Sequence, residues 1–446
     1  MIALVTASAT ATASREVVNF DFAWRHVLGE PSDDRKCGAI EKGVNYGTGG
    51  ERLSDVPSAA ACCTLCSQKA MCAAWDWNTK VHDCWIKTDA TGKVNNSERV
   101  SGTIPVPALP SAAHPGYNDT AWAIVNAPHD MLVGENVSVV NTGGMGYRAR
   151  NTGWYRKHFV LPADWEGSSI WLYIEGSFHV TTAWLNGASL GTHKAGYTSF
   201  WLRLDGAAAV YGGGANVLAL HVDASSGTGW WYEGGGLLRH NHLVRAPKLH
   251  ITPDSAWTHA NVTGAPRPHS ARHSDGAAAP AILYAELTVS NEGGSAMSVA
   301  LAAKVYDMAG KLVASPPVSV PTSVVSGGGA TLAVRIPIGA AELWSVGRPY
   351  LYSVAMALVL LDGTPLDEIN VTAGVRSVRF DPLQGLFINE EPLKLRGFCD
   401  HSNMGGVGGA VPDRLNLYRA QASHPDTIPP TLSHRHLIPI PTHRTP

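Results

Sequence analysis

The chain of 446 residues has room for about three domains of roughly 150 residues each. Its 34 basic and 36 acidic residues leave a net charge of −2, which excludes a polyanion-binding surface and with it nucleic acid as a partner. The densest apolar run, Val354–Leu361, is far shorter than the roughly 20 residues that cross a bilayer, so no membrane span is expected. Charged residues make up only 16%, against about 25% in an average soluble domain, while 46 glycines and 28 prolines indicate many turns between short strands.

Residues 1–14 are apolar and rich in small side chains, ending in the A-x-A-like Ala11-Thr12-Ala13. They read as a weak signal segment that lacks a basic start. A short strand pattern, Val17–Trp24, occupies 15–34. The segment 35–104 then carries Cys37, Cys62, Cys63, Cys66, Cys72 and Cys84, while the seventh cysteine, Cys399, stands apart. An even, dense cluster reads as a disulfide framework formed in an oxidising compartment. Zinc would need a second ligand pair, for which His82 and Cys84 fit poorly. A redox CxxC at Cys63–Cys66 would open a helix after a strand, with few cysteines around it. Sequons begin at Asn95, Asn118, Asn136, Asn261 and Asn370, in keeping with secretion or an endomembrane lumen.

From 105 to 252 the chain is Trp-rich and strand-like. The pair Asn186-Gly187 between apolar flanks predicts a type I′ hairpin, because both residues tolerate positive φ. Val217–Val222 is a further strand, and no helical period of useful length appears. An antiparallel sandwich is the expected fold. Residues 253–280 read as a linker or long exposed loop. Strand patterns resume at Ile282–Ser290, Ser298–Tyr306, Thr331–Ile336, Tyr350–Leu361 and Ile369–Phe380, so 281–378 predicts an immunoglobulin-like sandwich. A strand over Leu393–Phe398 and a short helix over Pro412–Gln421 follow within 379–421. The proline- and histidine-rich residues 422–446 are expected to be disordered.

Several segments together resemble the family-2 glycoside hydrolases, the β-galactosidase and β-glucuronidase group. Asp119-Thr120-Ala121-Trp122 followed by Ala127-Pro128-His129-Asp130 looks like the family's D-x-x-W…P-H-D stretch. Gly153–Lys157 matches its GWYRK strand, Trp184–Gly187 its hairpin, and Trp230–Leu237 the motif that closes the sugar-binding sandwich. Leu343-Trp344-Ser345 with Pro349–Tyr352 matches the second domain. Gly374–Arg376 and Leu393–Gly397 match its exit and the opening strand of the third, barrel domain. The cysteine segment, with Trp75-Asp76-Trp77 and Cys84-Trp85-Ile86-Lys87, resembles a PAN/apple domain inserted into the first sandwich. Such a module binds glycan or protein, or else serves as a stapled structural insert.

The resemblance implies a mainly β fold: a jelly-roll sugar-binding sandwich with a small disulfide-rich α+β insert, an immunoglobulin-like sandwich, and the start of a (β/α)8 barrel. It also implies retaining hydrolysis of a β-glycoside such as a β-galactoside, which needs two carboxylic acids about 5–5.5 Å apart. In the family both glutamates lie on later barrel strands. The stretch from Phe380 onward is far shorter than the roughly 250 residues of such a barrel, so no catalytic residue is assigned in this chain and it is expected to be inactive alone. Two Asn-Glu pairs, Asn291-Glu292 and Asn389-Glu390, fall in turns ahead of any barrel and read as decoys. His401 occupies the place of the family's sugar-contacting histidine, with Cys399 where the family has Asn. Trp230, Trp231, Tyr232 and Glu233 either reach the sugar or seal the sandwich against the barrel. No cofactor or metal site is evident. A non-catalytic, secreted carbohydrate-binding protein is the competing reading.

Overall fold

The structure is a computed structural model, and it describes residues 15–31, 40–46, 50–67, 72–87, 90–103, 110–141, 146–229, 231–264, 277–395 and 401–423, with the short pieces Ala3–Leu4 and 267–268. The signal-segment reading of 1–14 otherwise lies outside these residues, as do Cys37, Trp230, Cys399 and residues 424–446.

The first sandwich packs two antiparallel sheets. The larger runs in the order Ala188–His193, Val180–Leu185, Ala215–Asp223, Thr152–Val160, Trp24–Leu28, Ala123–Val125. The smaller runs Phe200–Arg203, Ser169–Ile174, Asn241–Ala246, Glu16–Asn19. Between them Trp24, Tyr155, Phe159, Trp165, Leu172 and Leu220 are fully buried. The expected hairpin is present: Asn186 and Gly187 have φ of 50° and 86° and join two paired strands. The strand Thr152–Val160 is covered on both faces. Tyr155 and Phe159 enter the core, while Trp154 stacks on Trp184 at 5.4 Å beneath Ala112, Ala113 and Trp122.

Burial on both faces forces the polar residues of this strand into networks, because an unpaired buried charge is costly. Arg156 is 0% exposed. Its Nε donates to Asp119 Oδ2 at 2.8 Å, and its Nη atoms donate to the carbonyls of Ala112, His114, Pro115 and Tyr117. Glu30 accepts from the Trp154 indole at 2.9 Å and pairs with His221 at 2.7 Å. Burial pushes the Glu30 carboxyl up, yet the His221 charge and these hydrogen bonds outweigh it and bring it down to about 2.

The second sandwich has a simpler code. Ala277–Asn291 alternates buried and half-exposed residues along its length, pairs Gly329–Glu342 on one side, and carries Leu249–Ile251 and Trp257–Val262 on the other. The facing sheet runs Leu312–Ala314, Met297–Tyr306, Tyr352–Leu360, Pro365–Ala373, with Thr322–Val324 paired to Met297–Val299. Its core is almost wholly aliphatic, built from residues such as Leu283, Leu287, Val299, Leu301, Val354 and Leu358.

Four readings need correction. The 253–280 linker contains the strand Trp257–Val262; its inward Thr258, Ala260 and Val262 are too small to give a clear apolar pattern. Leu249–Ile251 pairs in the second sandwich, so the first ends a few residues before 252. The strand expected at Leu393–Phe398 does not form in its described part. Leu393 closes the last strand of a three-stranded hairpin, Val378–Asp381, Gly385–Ile388, Glu391–Leu393, while Lys394 and Leu395 lie in no strand. The run Ile369–Phe380 is likewise interrupted, at 374–377. The short helix forms at Asp413–Ser423, which takes in the first two residues of the expected tail.

The cysteine segment forms a five-stranded sheet in the order Ile40–Tyr46, Lys93–Thr103, Ala74–Asn78, Cys84–Lys87, Glu51–Leu53. One helix, Ala59–Ser67, is capped by Ser58 Oγ accepting from the amide of Ala61. Cys62, Cys63 and Cys66 face inward against the fully buried Trp75. Cys62 is bonded to Cys84 and Cys66 to Cys72; Cys63 is disulfide-bonded as well. The staples tie the helix to its sheet. Such a small core gains more from them than from burial alone.

Candidate functional site

The residues that carry chemistry gather where the loop 225–240 of the first sandwich meets the segment 401–411. The organiser is Asp130. Its Oδ1 accepts the amides of Leu132 (3.0 Å) and Gly235 (3.3 Å), and its Oδ2 accepts the amide of Gly409 (2.7 Å) and the hydroxyl of Tyr232 (2.9 Å). One carboxylate thus ties three distant segments together. Glycine is needed for this approach, since a Cβ on Gly408 would stand 2.1 Å from Asp130 Oδ2. Burial pushes the Asp130 carboxyl up, with its donors pulling the other way. Burial, reinforced by Asp130, pushes the Tyr232 hydroxyl up, so it remains a donor.

Further bonds lock the seam. Asn403 Nδ2 donates to the carbonyl of Tyr232 at 3.0 Å, and Arg419 on the helix Asp413–Ser423 donates to the carbonyls of His401 (3.1 Å) and Asn403 (3.3 Å). His240 bridges the sandwich to the helix start through Asp21 (2.7 Å) and Asp413 (3.2 Å). The Asp21 hydrogen bond raises His240 to about 9 against the opposing effect of burial.

Held this way, Trp231 and His401 meet edge to face at a ring separation of 5.7 Å, both open to solvent. Beside the same seam lies a cleft of about 100 Å³ lined by residues including Glu175, Phe178, Tyr197, Glu233, Arg239 and Ser402. Burial pushes the Glu175 carboxyl up. Tyr232 and Glu233 stand differently from Trp231. Glu233 is buried, and its oxygens accept from Tyr197 Oη (2.8 Å), Thr228 Oγ1 (2.7 Å), the amides of Thr228 and Gly229, and Arg150. Those donors saturate the carboxylate, holding it below its ordinary value although burial is the largest influence and acts upward. Glu233 shapes the loop and has no acceptor left for a sugar hydroxyl.

Asn389-Glu390 is a turn, as expected, whereas Asn291 ends the strand Ala277–Asn291 and Glu292 lies just past it. Asn291 bonds the carbonyls of Ser295 and Val324, and Glu292 ties the two sandwiches through Ser169 Oγ and Arg203 at 2.6 Å each. Asn389 and Glu390 have φ of 52° and 64°, with Glu390 on Arg379. Sequence reasoning assigned no role to Asp130, Tyr197, Arg239 or Glu175. The nearest signal was the Asp130 of the Pro-His-Asp stretch, together with the glycine-rich 234–236 that it bonds. Among the described residues no cluster of potential metal ligands occurs.

Residues 270–376 match the domain described as Glycosyl hydrolases family 2. A β-galactosidase of Bacteroides ovatus is 27% identical over 68% of this chain and 34% of its own length. Over these stretches the chain is similar to the glycosyl hydrolases of family 2. A β-glucuronidase of Formosa agariphila is 26% identical over 67% of the chain and 31% of its own length. A solved family-2 member from Bacteroides cellulosilyticus superposes with a TM-score of 0.60 at 26% identity, covering 69% of this chain and 40% of that one. A Bacteroides uniformis β-glucuronidase shares the fold over 91% of the chain with a TM-score of 0.63 at 20% identity. The chain thus spans about a third of the length of the curated relatives it matches.

Proposed function

We infer that this chain supplies the sugar-framing modules of a retaining β-glycosidase acting on a β-galactoside or β-glucuronide. The observation that carries this reading is the pairing of Trp231 with His401 at the seam, held by Asp130 and the Arg419 bonds. An indole face suits the C–H surface of a pyranose, and an imidazole donates to its hydroxyls. The relatives named β-galactosidase and β-glucuronidase support the same reading. The retaining reaction needs two carboxylic acids. Glu233, Glu292 and Glu390 are each committed to the chain's own donors, so in this reading the pair belongs to the remainder of the relatives' length.

The test measures sugar release from chromogenic β-galactoside and β-glucuronide by this chain and by a chain extended through the relatives' length. The extended chain is expected to hydrolyse one of them. Trp231→Ala and His401→Ala should each lower its kcat/KM by about tenfold or more, equal to about 1.4 kcal/mol of transition-state binding. No release from either substrate by the extended chain overturns the reading.

Two finer assignments belong with it. The disulfides support a secreted or endomembrane-luminal location. The cysteine module is apple-like, with a glycan or protein ligand, and Trp85 held between Arg52 and Arg99 at 5.5 and 5.2 Å is its candidate contact. A glycan array with the Trp85→Ala variant checks this.

A further inference from the structure

The five sequon asparagines, Asn95, Asn118, Asn136, Asn261 and Asn370, are all exposed, whereas the buried asparagines Asn216, Asn241, Asn291 and Asn389 stand outside any sequon. Two of the five occupy equivalent places in the second sandwich. Asn261 points outward from Trp257–Val262, an edge strand of one sheet, and Asn370 points outward from Pro365–Ala373, an edge strand of the other. These two edge strands lie against each other on one side of the sandwich. A cleft of about 220 Å³ opens there, lined by Thr258, His259 and Ala260 from the first strand and Thr372 and Ala373 from the second. Each acceptor stands within two residues of that lining.

An edge strand presents unpaired amides and carbonyls and templates pairing with another chain unless something blunts it. Trp257–Val262 has none of the usual devices: it contains no lysine, no other charged residue and no proline, and its Trp257 is 46% exposed. We propose that Asn261 and Asn370 are N-glycosylation sites, and that their glycans cover this open side of the sandwich and keep the Trp257–Val262 edge from pairing. The side chain that accepts must be reachable and its neighbourhood free of clashes; both outward positions on regular strands satisfy this. In the step, the amide Nδ2 bonds to the anomeric carbon of a lipid-pyrophosphate-linked oligosaccharide. The anomeric C–O bond breaks, the lipid pyrophosphate leaves, and one amide proton passes to a base. The proposal rests on the luminal location inferred above and is independent of the hydrolytic reading.

The test expresses the full 446-residue chain in a secreting eukaryotic cell and maps glycopeptides before and after peptide-N-glycosidase digestion. Glycans at both Asn261 and Asn370 are expected. Removing them from the folded protein, and separately making the Asn261→Gln/Asn370→Gln double variant, should convert monomer into multimers seen by light scattering. Thr263→Ser with Thr372→Ser, which keeps both sequons, should leave the monomer unchanged. An unmodified asparagine at either position overturns the proposal. Full occupancy with an undisturbed monomer after deglycosylation overturns the shielding role.

Discussion

The two sandwiches are of similar architecture but bury different chemistry. The second hides aliphatic side chains behind clean alternation, and its strands could be redrawn from the pattern alone. The first hides Arg156, Asp119, Lys157, His221 and Asp130 among its aromatic residues. A core of the first kind is stable because of transferred apolar surface, roughly 25 cal/mol per Å². A core of the second kind depends on every charge keeping its partner, and it gains directional bonds that fix loops at its rim. The sandwich whose rim bears the candidate site is the one with the polar interior.

The sharpest way to break the comparison is Asp119→Ala. It strands the fully buried Arg156 guanidinium, and losing one partner of a buried pair costs about 4 kcal/mol. Chemical denaturation followed by tryptophan fluorescence should show the first sandwich unfolding early, with the second unmoved. The matching change in the second, Leu287→Ala at 0% exposure, should cost about 3 kcal/mol through lost transfer energy and a cavity. It should leave the tryptophan-rich sandwich intact.

A subtler test uses pH. His240 has its charged form favoured by Asp21, with its titration raised from 6.5 to about 9. A raised value means its stabilising contribution is complete below about pH 6.5 and is lost as pH rises through about 9. The denaturation midpoint should therefore fall over that window, and His240→Gln should flatten the profile. The smallest expected effect on stability belongs to Trp231→Ala, within about 0.5 kcal/mol for an exposed side chain, although it should weaken sugar binding measured by calorimetry. A large stability loss there would mean the indole seals the seam.

Legibility follows the same division. Period-2 alternation made the strands of the second sandwich visible, and Asn186-Gly187 announced its hairpin through positive φ. Trp257–Val262 escaped notice because an edge strand with small inward residues carries little apolar signal. Trp231 and His401 stood out as chemistry-bearing residues in recognisable motifs, and the structure brings them together. Asp130 appeared only as part of the Pro-His-Asp stretch of the family resemblance, with no role attached to it. Its importance comes from amides supplied by Gly235 and Gly409, residues that no local pattern links to it. The same distance effect hid the saturation of Glu233, whose partners Tyr197 and Arg150 come from separate loops.

The place where the cysteine module enters the first sandwich has a thermodynamic consequence. Trp24–Leu28 and Ala123–Val125 are antiparallel neighbours, with Trp24 opposite Val125 and His26 opposite Ala123. They form one hairpin, and everything between them is its connecting loop. Closing a flexible loop of that length costs about 4 kcal/mol of chain entropy. The first and last strands of the module in chain order, Ile40–Tyr46 and Lys93–Thr103, are paired side by side, Ile40 opposite Gly102. Once the module has folded, its two ends emerge together and the long loop behaves as two short tethers. Unfolding of the module would lengthen that loop again, so the stability of an insert bears on the edge of the larger sheet of the first sandwich.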